Sequence, residues 1–298
     1  MTKSIDPKDL PQAQLHSYLL SAVAPRPIAL ASTVDENGAI NLSPFSFFNV
    51  FSSNPPILIF SPARRGRDNT TKHTYENILK VKEVVINIVN YSIVEQMSLS
   101  STEYEQGVNE FNKAGFTPIK STKIQPPRVG EAPVAFECVV DDIIALGKGP
   151  GAGNLIIARV VQVHIQEKYL DKEGNLDTIK LDLVARMGGN WYTRAIKESL
   201  FEIPKPIRTK GIGVDKLPKN IRESSILTGN NLGRLGNIEN LPQTADILKI
   251  KERPEIQKLL IQFKNKPKKL EIALHTLAKE YLEKGDTEKA IGVLCLFE

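Results

Sequence analysis

Two stretches carry the side chains best suited to chemistry. The first, RRGRDNTTKHTYEN at 64–77, gathers Arg64, Arg65, Arg67 and Lys72 with Thr70, Thr71, Thr74 and Asn77 at a loop entering a helix. Cations, hydroxyls and helix-start amides converging in one place suit a phosphate. The same residues also make a well-capped helix with basic flanks, and the segment alone leaves both readings open. The second stretch, NLSPFSFFNVFSSNPP at 41–56, sets Phe45, Phe47, Phe48 and Phe51 among small polar residues. These phenylalanines follow no single period, and Ser43, Pro44 and Ser46 interrupt them, so the backbone near Pro44 is expected to leave the strand ladder. Amides, hydroxyls and aromatic faces in one segment match a flat, polar-edged ligand; an edge strand with a core anchor accounts for the same residues. Taken together, an aromatic, amide-rich strand followed by a phosphate-like pocket gives the outline of a flavin mononucleotide.

Other motifs offer less. GKGPGAG at 147–153 nearly spells a dinucleotide fingerprint, but NLIIARVVQVHI follows it, which is a strand pattern. Without a helix there is no macrodipole to receive a pyrophosphate, so a hairpin loop is expected there. His16, His73, His164 and His275 lie far apart with no metal-ligand spacing. Ser43, Ser46 and Ser61 lack a nucleophile elbow and a nearby histidine. Neither a catalytic side chain nor a metal site is therefore expected, and hard chemistry would fall to a cofactor.

The elements that must position these residues follow from the pattern. With 298 residues, 41% of them hydrophobic, the chain is long enough for one large domain and an appendage. No segment approaches the ~20 apolar residues of a membrane span and no secretory signal is read, so a cytoplasmic protein is expected. Two cysteines, Cys138 and Cys295, fit a reducing compartment. Residues 27–34, 56–61, 84–90, 134–146, 155–165 and 179–185 read as strands, with ENG at 36–38 and KEGN at 172–175 as tight turns. Helical stretches fall near 71–82 and 92–101. Strands and helices do not alternate regularly, so an antiparallel barrel with inserted helices is expected rather than a parallel sheet.

The character changes at IPKP, 203–206, which divides a domain at 1–203 from an extension at 204–298. Residues 207–246 show little periodicity, whereas 254–264 and 270–297 read as helices. From Pro204 onward there are 18 basic against 12 acidic residues, so the net charge of +5 belongs to this tail. Its one dense run, KNKPKK at 264–269, has no aromatic to stack a base, and a solvated helix junction rather than a nucleic-acid surface is expected. LHTLAKEYLEKGDTEKAIGVL at 274–294 resembles half of each of two tetratricopeptide helices, in a single copy. A lone helical hairpin packing on the barrel or on a partner subunit is expected.

APRPIALASTVDENGAINLSPFSFFNVFSSNPPILIFSP at 24–62, TKHTYEN at 71–77, VVINIVN at 84–90 and RMGGNWY at 186–192 resemble, in order, the flavin reductase-like, FMN-binding split-barrel family, in its flavoredoxin-like subgroup. The likeness spans residues 15–195, and 211–242 resembles an extension found in part of the group. It implies a mainly β, six-stranded antiparallel Greek-key split barrel with inserted helices, followed by an irregular and α-helical C-terminal extension, in a homodimer with FMN at the interface. It further implies that Asn41, Leu42 and Ser43 face the polar edge of the ring, with Ser46, Phe47 and Ser61 beside it. Lys72, Thr74 and Asn77 match the phosphate-holding loop, with His73 where the family usually carries Asp. Met187, Gly188, Gly189, Trp191 and Tyr192 would close the site, with Arg26 assisting.

The implied activity is that of a flavin reductase, passing electrons from NADH or NADPH to FMN and on to a partner oxygenase or other acceptor. A flavoredoxin-like electron carrier reduced by a protein partner is the alternative. A flavin-free interaction module using the helical tail is a third.

Overall fold

In the computed structural model, which describes residues 1–203 and 206–297, the chain divides into two compact units, Met1–Phe201 and Glu202–Glu298. The IPKP segment falls partly on residues 204–205, outside the described residues. No helix among the described residues is long and apolar enough to cross a membrane.

The first unit opens with α1 (Gln12–Ala22) and builds its strands from β1 (Ala29–Val34), β2 (Ile40–Phe45), β3 (Phe48–Ser53), β4 (Pro56–Phe60) and β5 (Glu83–Ile88). A short ribbon of β6 (Pro118–Ile119) and β7 (Arg128–Val129) precedes the long hairpin of β8 (Val134–Ala145) and β9 (Asn154–Ile165), and β10 (Val184–Arg186) pairs with β11 (Tyr192–Arg194). Seven of these form one antiparallel sheet in the order β2, β1, β5, β8, β9, β4, β3. Helices α2 (His73–Lys80), α3 (Val94–Leu99), α4 (Glu110–Ala114) and α5 (Thr178–Leu181) are inserted between strands. The mainly β, antiparallel architecture with inserted helices is as expected from the sequence.

β1 explains why the sheet can carry two cores. All six of its residues are buried, and its alternate positions serve opposite faces. Ala29 and Ala31 pack with Phe45, Phe60, Ile86, Cys138 and Ile156. On the other side Ile28 and Leu30 pack with Leu42, Ile93, Met97 and Phe111, which brings α3 and α4 against the sheet. A strand buried on both faces lacks the alternation of a half-exposed one, and ALASTV is small or apolar throughout, its two hydroxyl residues Ser32 and Thr33 being buried with the rest.

Three expectations are corrected. The sheet has seven strands rather than six, because 40–53 forms two edge strands at opposite ends of the sheet, β2 paired with β1 and β3 paired with β4, instead of one interrupted edge segment. Residues 179–185 are not a strand: Asp177 caps α5 by accepting from the amides of Ile179 and Lys180, Asp182 turns the chain at φ +50°, and only then does β10 begin. Pro44 does not leave the ladder, since it pairs in register with Leu30. β2 is an edge strand, and the Leu42 amide, two residues earlier, points outward to Glu110. Position 44 shares that outward side, so the N–H that proline lacks has no ladder partner to lose.

The second unit contains α6 (Lys219–Arg222), α7 (Gly229–Leu235), α8 (Thr244–Lys251), α9 (Pro254–Gln262), α10 (Pro267–Glu283) and α11 (Thr287–Leu294). The stretch 207–246, expected to be irregular, thus carries two short helices and the start of a third. The α10–α11 hairpin turns at Gly285, φ +85°, and Asp286 caps α11. It is not a lone hairpin: Leu274, Leu282, Ile291 and Leu294 share a core with Ile221, Leu235 and Ile256 from α6, α7 and α9. KNKPKK is the exposed junction between α9 and α10, with Pro267 opening the latter.

Candidate functional site

β2 and the loop before α2 bring Asn41, Ser43, Lys72, His73 and Thr74 together around one pocket, which Arg65, Glu103, Tyr104 and Glu110 also line. Asn41 is buried and donates from its side-chain amide to the Thr74 hydroxyl at 2.9 Å, so strand and helix start are held in fixed relation. Asn77, one turn along α2, donates to Thr33 of β1 at 3.1 Å and fixes the same helix to the next strand.

Leu42 anchors β2 from the core side. Its side chain is fully buried in the core, and its amide donates to a Glu110 oxygen at 2.9 Å. Glu110 is itself only 4% exposed. Burial pushes its carboxyl above the usual range, against the pull of the Leu42 amide and of His73. Asn109 caps α4 by accepting from the Phe111 amide, and so aims Glu110 at β2. Sequence reasoning missed Glu110, since a glutamate in a helix first turn looks like a dipole partner and nothing local marks it as buried.

The cations converge on one carboxylate. Glu103 accepts from Arg65 at 3.1 Å and from Lys72 at 3.2 Å through one oxygen, and its other oxygen pairs with Arg67. Burial pushes the Glu103 carboxyl up, but Lys72, Arg65 and Arg67 outweigh it and hold it below the usual range. Arg65 is further oriented by donating to the Thr70 hydroxyl at 3.0 Å and to the Thr71 carbonyl. Arg64 belongs to the loop instead, donating to the Asn69 side chain at 2.6 Å.

The glycine-rich hairpin tip at 147–153 serves this loop. The Arg64 amide donates to the Ala152 carbonyl at 2.8 Å, the Gly151 amide donates to the Arg64 carbonyl at 3.1 Å, and the Asn69 side chain donates to the Lys148 carbonyl at 3.1 Å. Ser61 acts in the same support: its buried hydroxyl accepts from the Asn154 amide at 3.0 Å. A Cβ on Gly153 would stand 2.8 Å from that hydroxyl, which accounts for the glycine.

The remaining candidates form a second group. Arg26 is buried and donates to the carbonyls of Leu20, Val23 at 2.7 Å and Met187 at 3.0 Å, with a longer contact of 3.4 Å to Ser46. It caps the C-terminal end of α1 and ties it to the β10–β11 turn; burial, then Arg186, pull its pKa down. Gly188 lets α1 approach, because a Cβ there would meet the Ser21 hydroxyl at 2.3 Å, and Gly189 takes the left-handed φ of +57°. Trp191, at the end of this turn, is 77% exposed. Phe47 is also exposed and meets His16 of α1 edge-on at 6.4 Å. Cys138 offers no nucleophile, burial pushing its thiol up to about 12.

A barrel of this topology with an anion-suited pocket on its edge strand defines a class. Residues 21–180, over half of the chain, match the flavin reductase like domain, and the chain belongs to that family. An uncharacterized protein of Aquifex aeolicus (strain VF5) is 35% identical over 189 residues, 63% of this chain and 94% of that protein. Among solved structures, nitrilotriacetate monooxygenase component B from Bacillus cereus is 30% identical at a TM-score of 0.64, covering 68% of this chain and 99% of that one. The 2-nitrobenzoate 2-nitroreductase of Pseudomonas fluorescens is 27% identical at 0.59, covering 70% and 100%. The fold is the split barrel of this family.

Proposed function

We propose that the chain is an FMN-binding oxidoreductase that takes electrons from NADH or NADPH and passes them to a partner acceptor. One observation carries this reading. Asn41 and Ser43 of the edge strand share a pocket with Lys72, Thr74 and Arg65. The donor set fits a phosphate monoester: two cations, hydroxyls and the start of an eight-residue helix, with the Glu103 carboxylate already accepting from both cations.

When bound, flavin supplies the hydride and electron chemistry. The protein's part is to bind, orient and shield. Lys72, Thr74 and Arg65 hold the phosphate, Asn41 fixes Thr74, and Ser43 lies on the strand that leads to Ser46 and Phe47 beside the ring. No side chain of the site is assigned as acid or base, so stacking and orientation of a nicotinamide carry the rate. A single phosphate-suited pocket favours FMN over FAD.

The domain that performs this is residues 1–203. Phe47, Val50, Phe51 and Trp191 are exposed apolar side chains on the same unit, and they support a homodimer in which Trp191 and its turn reach a partner's flavin. An oxygenase as acceptor is supported by the relative that is itself component B of a monooxygenase.

Absorbance of the purified protein tests the reading, followed by extraction of the chromophore and anaerobic titration with NADH and NADPH. A bound FMN band bleached by either nicotinamide is expected. Absence of any flavin affinity overturns the reading, and bleaching only by a reduced protein replaces the nicotinamide donor with a protein one.

A further inference from the structure

The three-cation hub has one feature that a simple anion pocket would not need. Glu103 lies in the pocket lining and takes bonds from Arg65 and Lys72 on one oxygen and from Arg67 on the other. Its side chain is 33% exposed, Arg65 is 13% exposed and Lys72 29%, whereas Arg67 at 69% stands in solvent. Arg65 and Lys72 therefore carry the charge that matters to a ligand, and Glu103 cancels a share of it. The other carboxyl of the lining, Glu110, is committed to the Leu42 amide.

We propose that Glu103 is a specificity-determining residue: it limits the pocket to one phosphate by offsetting cation charge that a second phosphate would require. Resting on the flavin reading above, this names what the site selects among its possible ligands. A phosphate monoester carries about −1.5 to −2 at neutral pH, and Arg65 with Lys72, reduced by Glu103, accommodates that charge. A terminal diphosphate, unlike the diester diphosphate of a dinucleotide, brings at least one more negative charge to the same few ångströms, where the Glu103 carboxylate repels it and where the third cation, Arg67, is already engaged. Replacing Glu103 by a neutral residue removes the repulsion, and the gain scales with ligand charge.

The test uses the full chain and two probes without flavin, so that it is read independently of cofactor binding. Inorganic phosphate and inorganic pyrophosphate are titrated calorimetrically into wild type, Glu103→Gln and Glu103→Ala at matched ionic strength, because screening alone changes such affinities. Thermal melts report that the variants are folded; Glu103 lies on a partly exposed loop, and two different replacements guard against a local effect of either. The expected result is tighter binding of both anions to both variants, with the gain for pyrophosphate exceeding that for phosphate by about fivefold, the scale of one added charge contact in water.

An equal gain for the two anions, or a loss for either, overturns the proposal, the latter making Glu103 an organiser of the cations. Undetectable binding of both anions to the variants removes the anion pocket and the proposal with it. FMN binding by wild type is scored separately: a protein that shows the anion selectivity but no flavin affinity keeps this inference as a phosphate-site property and discards the flavin reading.

Discussion

Lys72 and Thr74 line the pocket from the same helix start, one through an ammonium paired with Glu103 and the other through a buried hydroxyl held by Asn41. Lys72→Ala is expected to weaken FMN binding by about 1.5–3 kcal/mol, the usual worth of a hydrogen bond to a charged group, and to leave the barrel folded. Flavin fluorescence titration measures this, and an unchanged dissociation constant would put the phosphate elsewhere. Glu110 gives a pH signature. Its folded pKa is raised by burial above the ordinary 4.5, so the stability it contributes is full below that value and falls as pH rises toward the folded one. Glu110→Gln keeps an oxygen for the Leu42 amide but cannot ionise. Its melting temperature relative to wild type should rise as pH is raised above the ordinary 4.5, and a difference that stays constant would mean that Glu110 titrates as an ordinary glutamate. At this scale the sequence showed the donors and hid their counterparts. Asn41, Lys72 and Thr74 belong to motifs, whereas Glu103 and Glu110 reach the pocket from a segment whose burial is set by tertiary packing.

The elements behind the site are joined by close approaches that single residues permit. Gly188 is the clearest, with α1 lying where its side chain would be. Gly188→Ala should cost about 1–3 kcal/mol, the scale of overpacking, because both the hydroxyl and the backbone of Ser21 are in the way. Urea unfolding gives the loss, and faster proteolysis within α1 than within the sheet would locate it; an unaltered midpoint would show that the helix shifts freely. Strands with long apolar runs were legible, including both arms of the β8–β9 hairpin. The stretch 41–56 was legible as an edge strand, but not as the two separate edge strands at 40–45 and 48–53, because the outward side of β2 tolerates proline and lacks the usual alternation. The misread 179–185 has a similar origin: TIKLDLV is β-branched enough for a strand, but Asp177 caps a helical turn and Asp182 adopts a left-handed conformation. Cap and turn chemistry overrode propensity there.

At the scale of the whole molecule, the resemblance covered the first unit and said little about the second, whose helices share a core that no repeat pattern announces. Trp191, 77% exposed beside a glycine turn, is the residue on which assembly is best tested. Trp191→Ala should lower both the solution mass toward a monomer and the affinity for flavin, as light scattering and fluorescence would report; a dimer that stays intact and loaded would remove Trp191 from the shared site. The hairpin tip at 147–153 has a consequence in time rather than in space. The basic loop at 64–70 is shaped by hydrogen bonds to residues far later in the chain, among them the Asn69 side chain to the Lys148 carbonyl, 79 positions on. Contacts of such separation form late, after the local strands and turns have settled. A growing chain that has already made Arg65 and Lys72 thus owns the charges but not their arrangement, which is set when the long hairpin closes; on the function proposed above, capture of the ligand then marks completed folding.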